Sequence, residues 1–361
     1  MNSLPLRIRD VFIVVGFVLC LIIVFSIGIK DMDRQQLQIH IVSELIQTTQ
    51  DEYLHHSNAV LAEKNPPALL LLLLPAVAKY LGICSKNGAD VGQSVLHTPD
   101  PMDANTQCHW LKSTDTKPPF SMCLYSMEED RGISSTLHSS RRWGNFDEKE
   151  MDEIFNANHT RDTVIDVGAY VGFFSLMAAS RGLNVIAFEA NGESASRLQC
   201  SVEKNGFQDR LRVYHNAVSN RRGRMLLSIL RGNMGADKVT MCDSGDCLPT
   251  SRDEFNVDSI VLDDLSAAEI FSPHQILAIH INAEGMDGPI LDGASYILRM
   301  GKIPHLLVDF LPAWIETYGC STSLFIRKLY EMGYTVQEHP SIESILEQGA
   351  KTRLHFRHSQ M

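Results

Sequence analysis

The sequence has no Gly-x-Gly-x-x-Gly, no Cys-x-x-Cys pair and no histidine cluster with the spacing of zinc ligands. The first absence disfavours a nicotinamide-dependent dehydrogenase, because dinucleotide sites use those glycines to bring a helix N-terminus against a pyrophosphate. The second removes the common zinc modules, so no metal is expected. Positive charge is also scarce: 32 Lys and Arg stand against 43 Asp and Glu, a formal net charge of −11. Nucleic acids favour Lys/Arg-rich surfaces, so no nucleic-acid partner is expected. No internal repeat is visible, and nothing speaks to oligomeric state. What remains is an ordinary globular composition, 44% hydrophobic and 21% charged, over 361 residues. That length holds one sizeable α/β domain with appendages.

One long apolar run is present. Val11 to Ile29 carries no charge, and nineteen residues at ~1.5 Å rise span roughly 28 Å, close to the hydrocarbon thickness of a bilayer. Arg7 and Arg9 precede it, while Lys30, Asp31, Asp33 and Arg34 nearly cancel after it. The positive-inside rule then makes residues 1–10 a cytosolic tail and 11–29 a signal-anchor, with the rest in the lumen of the ER or Golgi as a single-pass type II membrane protein. A cleaved signal peptide is the alternative, with Ser26 and Gly28 near the cut, although such apolar cores are usually ~7–15 residues. Asn158-His159-Thr160 is an N-glycosylation sequon of the kind such a compartment would use. Cys20 lies in the membrane run, which leaves seven cysteines and so at least one that is free or paired with another chain. Cys108 with Cys123, and Cys242 with Cys247, are candidate bridges; buried thiols throughout are the alternative.

Residues 30–119 read as a stem and linker. Leu37, Ile41, Leu45 and Ile46 have helical spacing, Pro66-Pro67 interrupts, and Ala68 to Ala78 is apolar but too short to span a bilayer. Gly88 to Pro119 is loop-like. A globular domain is expected over 120–361, with a strand over Ser121–Ser126 and a helix over Phe146–Phe155 before its main alternation.

That alternation begins at Asp162. Thr163 to Val167 is a buried-strand run, followed by a turn with Asp166, Gly168 and Gly172, a helix from Phe173 to Arg181, and a second strand ending on Glu189. Strand, glycine turn, helix and strand with an acid about 20 residues on form a nucleotide-binding βαβ unit, the acid taking ribose hydroxyls. An anion at Asp166 would repel a diphosphate. It suits a cationic ligand with an amino group, and S-adenosylmethionine has both a sulfonium and an amine. A purely structural βαβ turn is the alternative. Further strands are expected at Leu211–His215, Val257–Leu262, Leu277–Ile281, His305–Phe310, Tyr334–Glu338 and Thr352–Phe356. Met225–Leu230 reads as a hairpin strand, Gly232–Asp253 as a loop, and Ile290 to Leu298 as one face of a helix. A doubly wound sheet follows, with ligands at the strands' carboxyl ends.

The ordered runs VIDVGAYVGFFSL, FEA, NAVS, VLDDL, IHINAEGMDGPILDGA and LLVDF resemble the FkbM family of class I S-adenosylmethionine-dependent methyltransferases over roughly Phe120 to Phe356. The resemblance implies a Rossmann-like seven-strand sheet with a final antiparallel pair, and O-methylation, often of sugar hydroxyls. A glycan, glycolipid or other small hydroxyl compound would be the acceptor. Asp166, Gly168 and Gly172 would then form the cofactor loop, Asp166 facing the cofactor's amino-acid end. Glu189 would take the ribose, and Asn216 and Ala217 would lie by the adenine. Where the family has Lys-Ile-Asp-Val-Glu-Gly, this chain has His280-Ile281-Asn282-Ala283-Glu284-Gly285. An amide cannot accept the acceptor's proton, so Asn282 removes a carboxylate base and leaves His280 and Glu284 as candidates. His280 lies two residues, about 7 Å, behind Asn282 on the same strand face. A cofactor-binding pseudoenzyme is the alternative outcome.

Overall fold

The computed structural model describes residues 93–102, 106–143, 145–157, 160–242, 248–336 and 352–359. The expected membrane segment, the stem over 31–64, the apolar run 68–78, Asn158 of the sequon and Cys247 lie outside them. Among the described residues no helix is long and apolar enough to cross a membrane.

Three buried strands carry the centre. In β3 (Thr163–Val167), β10 (Ile276–Ile281) and β11 (His305–Phe310) every residue is buried, which is why these segments read as continuous apolar runs rather than alternating ones. With β4 (Asn184–Glu189), β5 (Leu211–His215), β12 (Tyr334–Val336) and β13 (Thr352–His358) they form a seven-stranded sheet of order β12-β13-β11-β10-β3-β4-β5. Only β13 runs antiparallel to its neighbours. The chain winds outward from β3 through β4 to β5, then returns to β10 on the other side of β3. The strand order reverses there, and the crevice beyond the carboxyl ends at such a switch point is where open α/β sheets bind ligands.

The expected strand from Val257 to Leu262 is in fact the end of β9 (Glu254–Ile260), and it is not in the main sheet. It joins β6 (Ala217–Val218), β7 (Gly223–Ser228) and β8 (Lys238–Met241) in a separate four-stranded sheet of order β6-β9-β7-β8. β8 lies inside the stretch expected to be loop; only Val239 and Met241 of it are strongly apolar, and its partially buried residues give little periodic signal. The single helix expected after β10 is two, Asp287–Asp292 and Ser295–Gly301. Between them, a Cβ on Gly293 would lie 2.2 Å from the Ser219 carbonyl, so this backbone contact tolerates no side chain.

The fold also extends back beyond Phe120. A short strand β1 (His109–Leu111) pairs with β2 (Met122–Leu124), and the Cys108–Cys123 disulfide ties their ends together. Arg197, on the helix over Gly192–Asn205, is buried beneath them: its Nη1 donates to the Gln107 and Leu124 carbonyls at 2.8 and 3.0 Å, and its guanidinium stacks on Tyr125. Cys242 and Cys320 are likewise in disulfides, and Cys200 is free.

Candidate functional site

The turn after β3 is built by close approach. Gly168 has φ +77°, and a Cβ there would sit 2.0 Å from the Asn282 carbonyl oxygen, so the loop lies directly on the exit of β10. Gly172 has φ +88° and would clash with Leu198, so this glycine serves helix packing against the 192–205 helix. The N–H groups of Gly168 and Ala169 both donate to the Phe188 carbonyl, which fastens the loop to the end of β4.

Glu189, at that end, is buried with one carboxylate oxygen accepting from the Tyr170 N–H at 2.7 Å and the other from the Asn191 N–H at 2.8 Å. Each oxygen has a further lone pair for a ligand hydroxyl. Burial pushes the Glu189 carboxyl up to about 7; the two N–H bonds oppose that, and Asp237 and Asp166 add to it. Asn191 joins three parts at once: its side-chain oxygen caps the 192–205 helix at Glu193 and Ser194, and its Nδ2 donates to Asp237 at 2.6 Å. Burial raises Asp237 to about 6. Asp237 immediately precedes β8 in an unpatterned stretch, and nothing in the sequence singled it out. Tyr170 was missed as well. It holds a left-handed backbone (φ +52°), donates its N–H to Glu189 and its hydroxyl to Asp130.

Gly168, Glu189, Asn216, Ala217, Asp237 and Glu284 line a cleft at the switch point. Asn282 lines it too, and also lines a second cleft that contains Asp166, Gly172, His280 and Arg353. The three candidate catalytic residues are therefore divided. Glu284 shares the cleft of Glu189, His280 shares that of Asp166, and Asn282 stands between.

Two of the expected cofactor residues also have partners within the fold. Asp166 lines the second cleft but is fully buried: Oδ2 accepts from Ser175 Oγ at 2.5 Å, and Oδ1 pairs with His280 Nδ1 at 2.8 Å. Parallel pairing of β3 with β10 sets Asp166 beside His280, a partner no local pattern could reveal. Asn216, although it lines the first cleft, has its side chain engaged elsewhere. Its Oδ1 accepts from the His97 N–H and its Nδ2 donates to the Val95 and Asp258 carbonyls, so it anchors the segment over 95–97. Asn282 Oδ1 is buried and has no hydrogen-bond partner among the described residues. Glu284 has a left-handed backbone (φ +48°) and is partly buried. Among the described residues no group of three His, Cys, Asp or Glu could hold a metal.

No protein-family model matches the chain, and no curated protein matches it either. Among solved structures, an rRNA methylase from Streptococcus thermophilus is similar at 11% identity and TM-score 0.36, covering 61% of this chain and 99% of that one. The METTL16 methyltransferase domain is similar at 13% identity and TM-score 0.33, covering 59% and 66%. A human methyltransferase 10 domain containing protein gives 12% identity and TM-score 0.32, covering 59% and 79%. The fold is a doubly wound α/β sheet of seven strands with one antiparallel strand. S-adenosylmethionine is the cofactor that the resemblance in the sequence implies. The residues fit it: Glu189 offers lone pairs to two ribose hydroxyls, and the orphaned Asn282 oxygen is a buried acceptor suited to an ammonium group.

Proposed function

We propose that this protein is an S-adenosylmethionine-dependent methyltransferase of the FkbM type that methylates a hydroxyl group of a glycan or glycolipid in the secretory lumen. The observation that carries the reading is the Glu189 cradle at the switch point, a buried carboxylate held by two backbone N–H groups beside the glycine turn. Glu189 would hold the ribose, Gly168 would let the backbone close on the ligand, and the Asn282 oxygen would accept from the cofactor's ammonium. The cofactor supplies a methyl group on a sulfonium centre, activated for attack by an oxygen nucleophile. The protein's part is to align the acceptor and remove its proton.

The lumenal, membrane-anchored setting is supported by the apolar run 11–29 with Arg7 and Arg9 before it, and by the disulfides at Cys108–Cys123, Cys242 and Cys320, since such bridges persist in oxidising compartments. The net charge of −11 speaks against an RNA acceptor. A second reading, a cofactor-binding pseudoenzyme, is favoured by Asn282, an amide where the resemblance puts a carboxylate. Calorimetry of the full chain with S-adenosylmethionine, followed by incubation with methyl-labelled cofactor and fractionated cell-surface glycans, separates the three outcomes. Binding with label transfer supports the enzyme, binding without transfer to any fraction supports the pseudoenzyme, and no binding removes both.

A further inference from the structure

We propose that His280, oriented by Asp166, is the general base for the acceptor hydroxyl and replaces the carboxylate that Asn282 lacks. The inference rests on the methyltransferase reading and adds the group that makes it chemically complete.

The geometry has four parts. His280 Nδ1 meets Asp166 Oδ1 at 2.8 Å, and Asp166 is itself held by Ser175 Oγ. Phe174 stacks on the imidazole with ring centroids 4.2 Å apart and planes 18° apart, so the ring is fixed in rotation. Nε2 is buried without a hydrogen-bond partner among the described residues. His280 also lines the second cleft, which Asn282 joins to the cofactor side. An anionic partner at Nδ1 selects the tautomer with its proton on Nδ1, which leaves the Nε2 lone pair as the acceptor. The same carboxylate stabilises the imidazolium formed when that lone pair takes a proton, the division of labour seen in hydrolase triads.

The proposed step balances. The acceptor oxygen forms a bond to the methyl carbon as the carbon–sulfur bond breaks and its electron pair stays on sulfur. The hydroxyl proton passes to Nε2 and leaves to solvent after product departs. Asp166 on β3 pairs with the imidazole, and Arg353 on β13, itself paired with Asp309 on β11, lines the same cleft.

The first test needs no acceptor. In the full chain labelled with ¹⁵N-histidine, the His280 signals, assigned by their loss in His280→Gln and their shift in Asp166→Asn, should report a neutral ring protonated on Nδ1. Protonation on Nε2 would overturn the proposal, because that nitrogen could not then receive a proton. The second test measures S-adenosylhomocysteine release between pH 5 and 9, with S-adenosylmethionine kept saturating at each pH and methyl hexosides as acceptor probes. His280→Gln should lose about 10²–10⁴-fold in rate, the usual worth of a general base, lose the acid limb of the pH profile, and keep cofactor affinity within about threefold. Should His280→Gln fold poorly, Asp166→Asn should shift the same limb. A rate and profile unchanged in both variants would overturn the base while leaving the methyltransferase reading intact; loss of cofactor binding in the wild-type chain would sink that reading instead.

Discussion

β4 and β10 flank the same strand and deliver Glu189 and His280 to two clefts that share Gly168, Tyr170 and Asn282, yet they do so by different means. At the end of β4, Glu189 is held by the N–H groups of Tyr170 and Asn191, which any chain with this turn and helix start would supply. At the end of β10, His280 is held by the side chains of Asp166 and Phe174, more than a hundred residues earlier. Backbone cradles survive sequence change around them, whereas side-chain partnerships are rebuilt as residues change. The chain departs from the resembled family's pattern at both ends, with Ala190 after Glu189 and with His280 and Asn282 at β10, while the glycine turn and Glu189 match it.

The largest expected effect comes from joining the two ends by force. Gly168→Val would set a Cβ against the Asn282 carbonyl and demand a left-handed valine. It should cost about 2–5 kcal/mol by the sum of backbone strain and overpacking. A melting temperature within a degree or two of wild type would mean that the β3 turn and β10 exit are not in contact. A sharper contrast is chemical. Glu189→Gln removes the charged acceptor and should weaken S-adenosylmethionine binding by about 10–100-fold, the worth of a hydrogen bond to a charged group. Asp166→Asn should leave calorimetric affinity within about threefold; equal losses would erase the distinction between the two ends.

The pH dependence tests the same cradle. Ribose hydroxyls donate to the ionised form of Glu189, and burial raises that group to about 7. Cofactor affinity should therefore fall as pH drops below 7, by up to about tenfold per unit, level off above it, and lose this dependence in Glu189→Gln. The sign for unliganded stability is opposite. Between the ordinary value of 4.5 and about 7 the folded chain retains a proton that the unfolded chain releases, so this group's contribution declines as pH rises through that window. Least in size, Asn191→Ala removes the helix cap and the Asp237 contact and should cost about 1 kcal/mol in denaturant unfolding.

The main sheet was legible because its central strands are buried on both faces. Thr163–Val167, Ile276–Ile281 and His305–Phe310 carry apolar runs bounded by turn residues, and Gly206, a left-handed cap with φ +70°, marks a helix end. In the second sheet β7 and β9 were read at least in part, whereas β8 is four residues long and half-exposed, so neither alternation nor a continuous run identifies it. Within the site, Gly168 and Glu189 could be read from spacing alone. Tyr170 and Asp237 could not, since their importance comes from what they touch across chain separations of 19 and 46 residues.

Local sequence determined where the strands, turns and caps fall, because burial pattern and backbone preference act over a few residues. It also marked the acid at the tip of β4. Tertiary structure alone decided which partners the remaining polar residues meet: it set Asp166 against His280 and engaged Asn216 with the segment over 95–97. The physical reason is that a buried polar atom requires a hydrogen-bond partner, and which partner it meets is fixed by strand order and register.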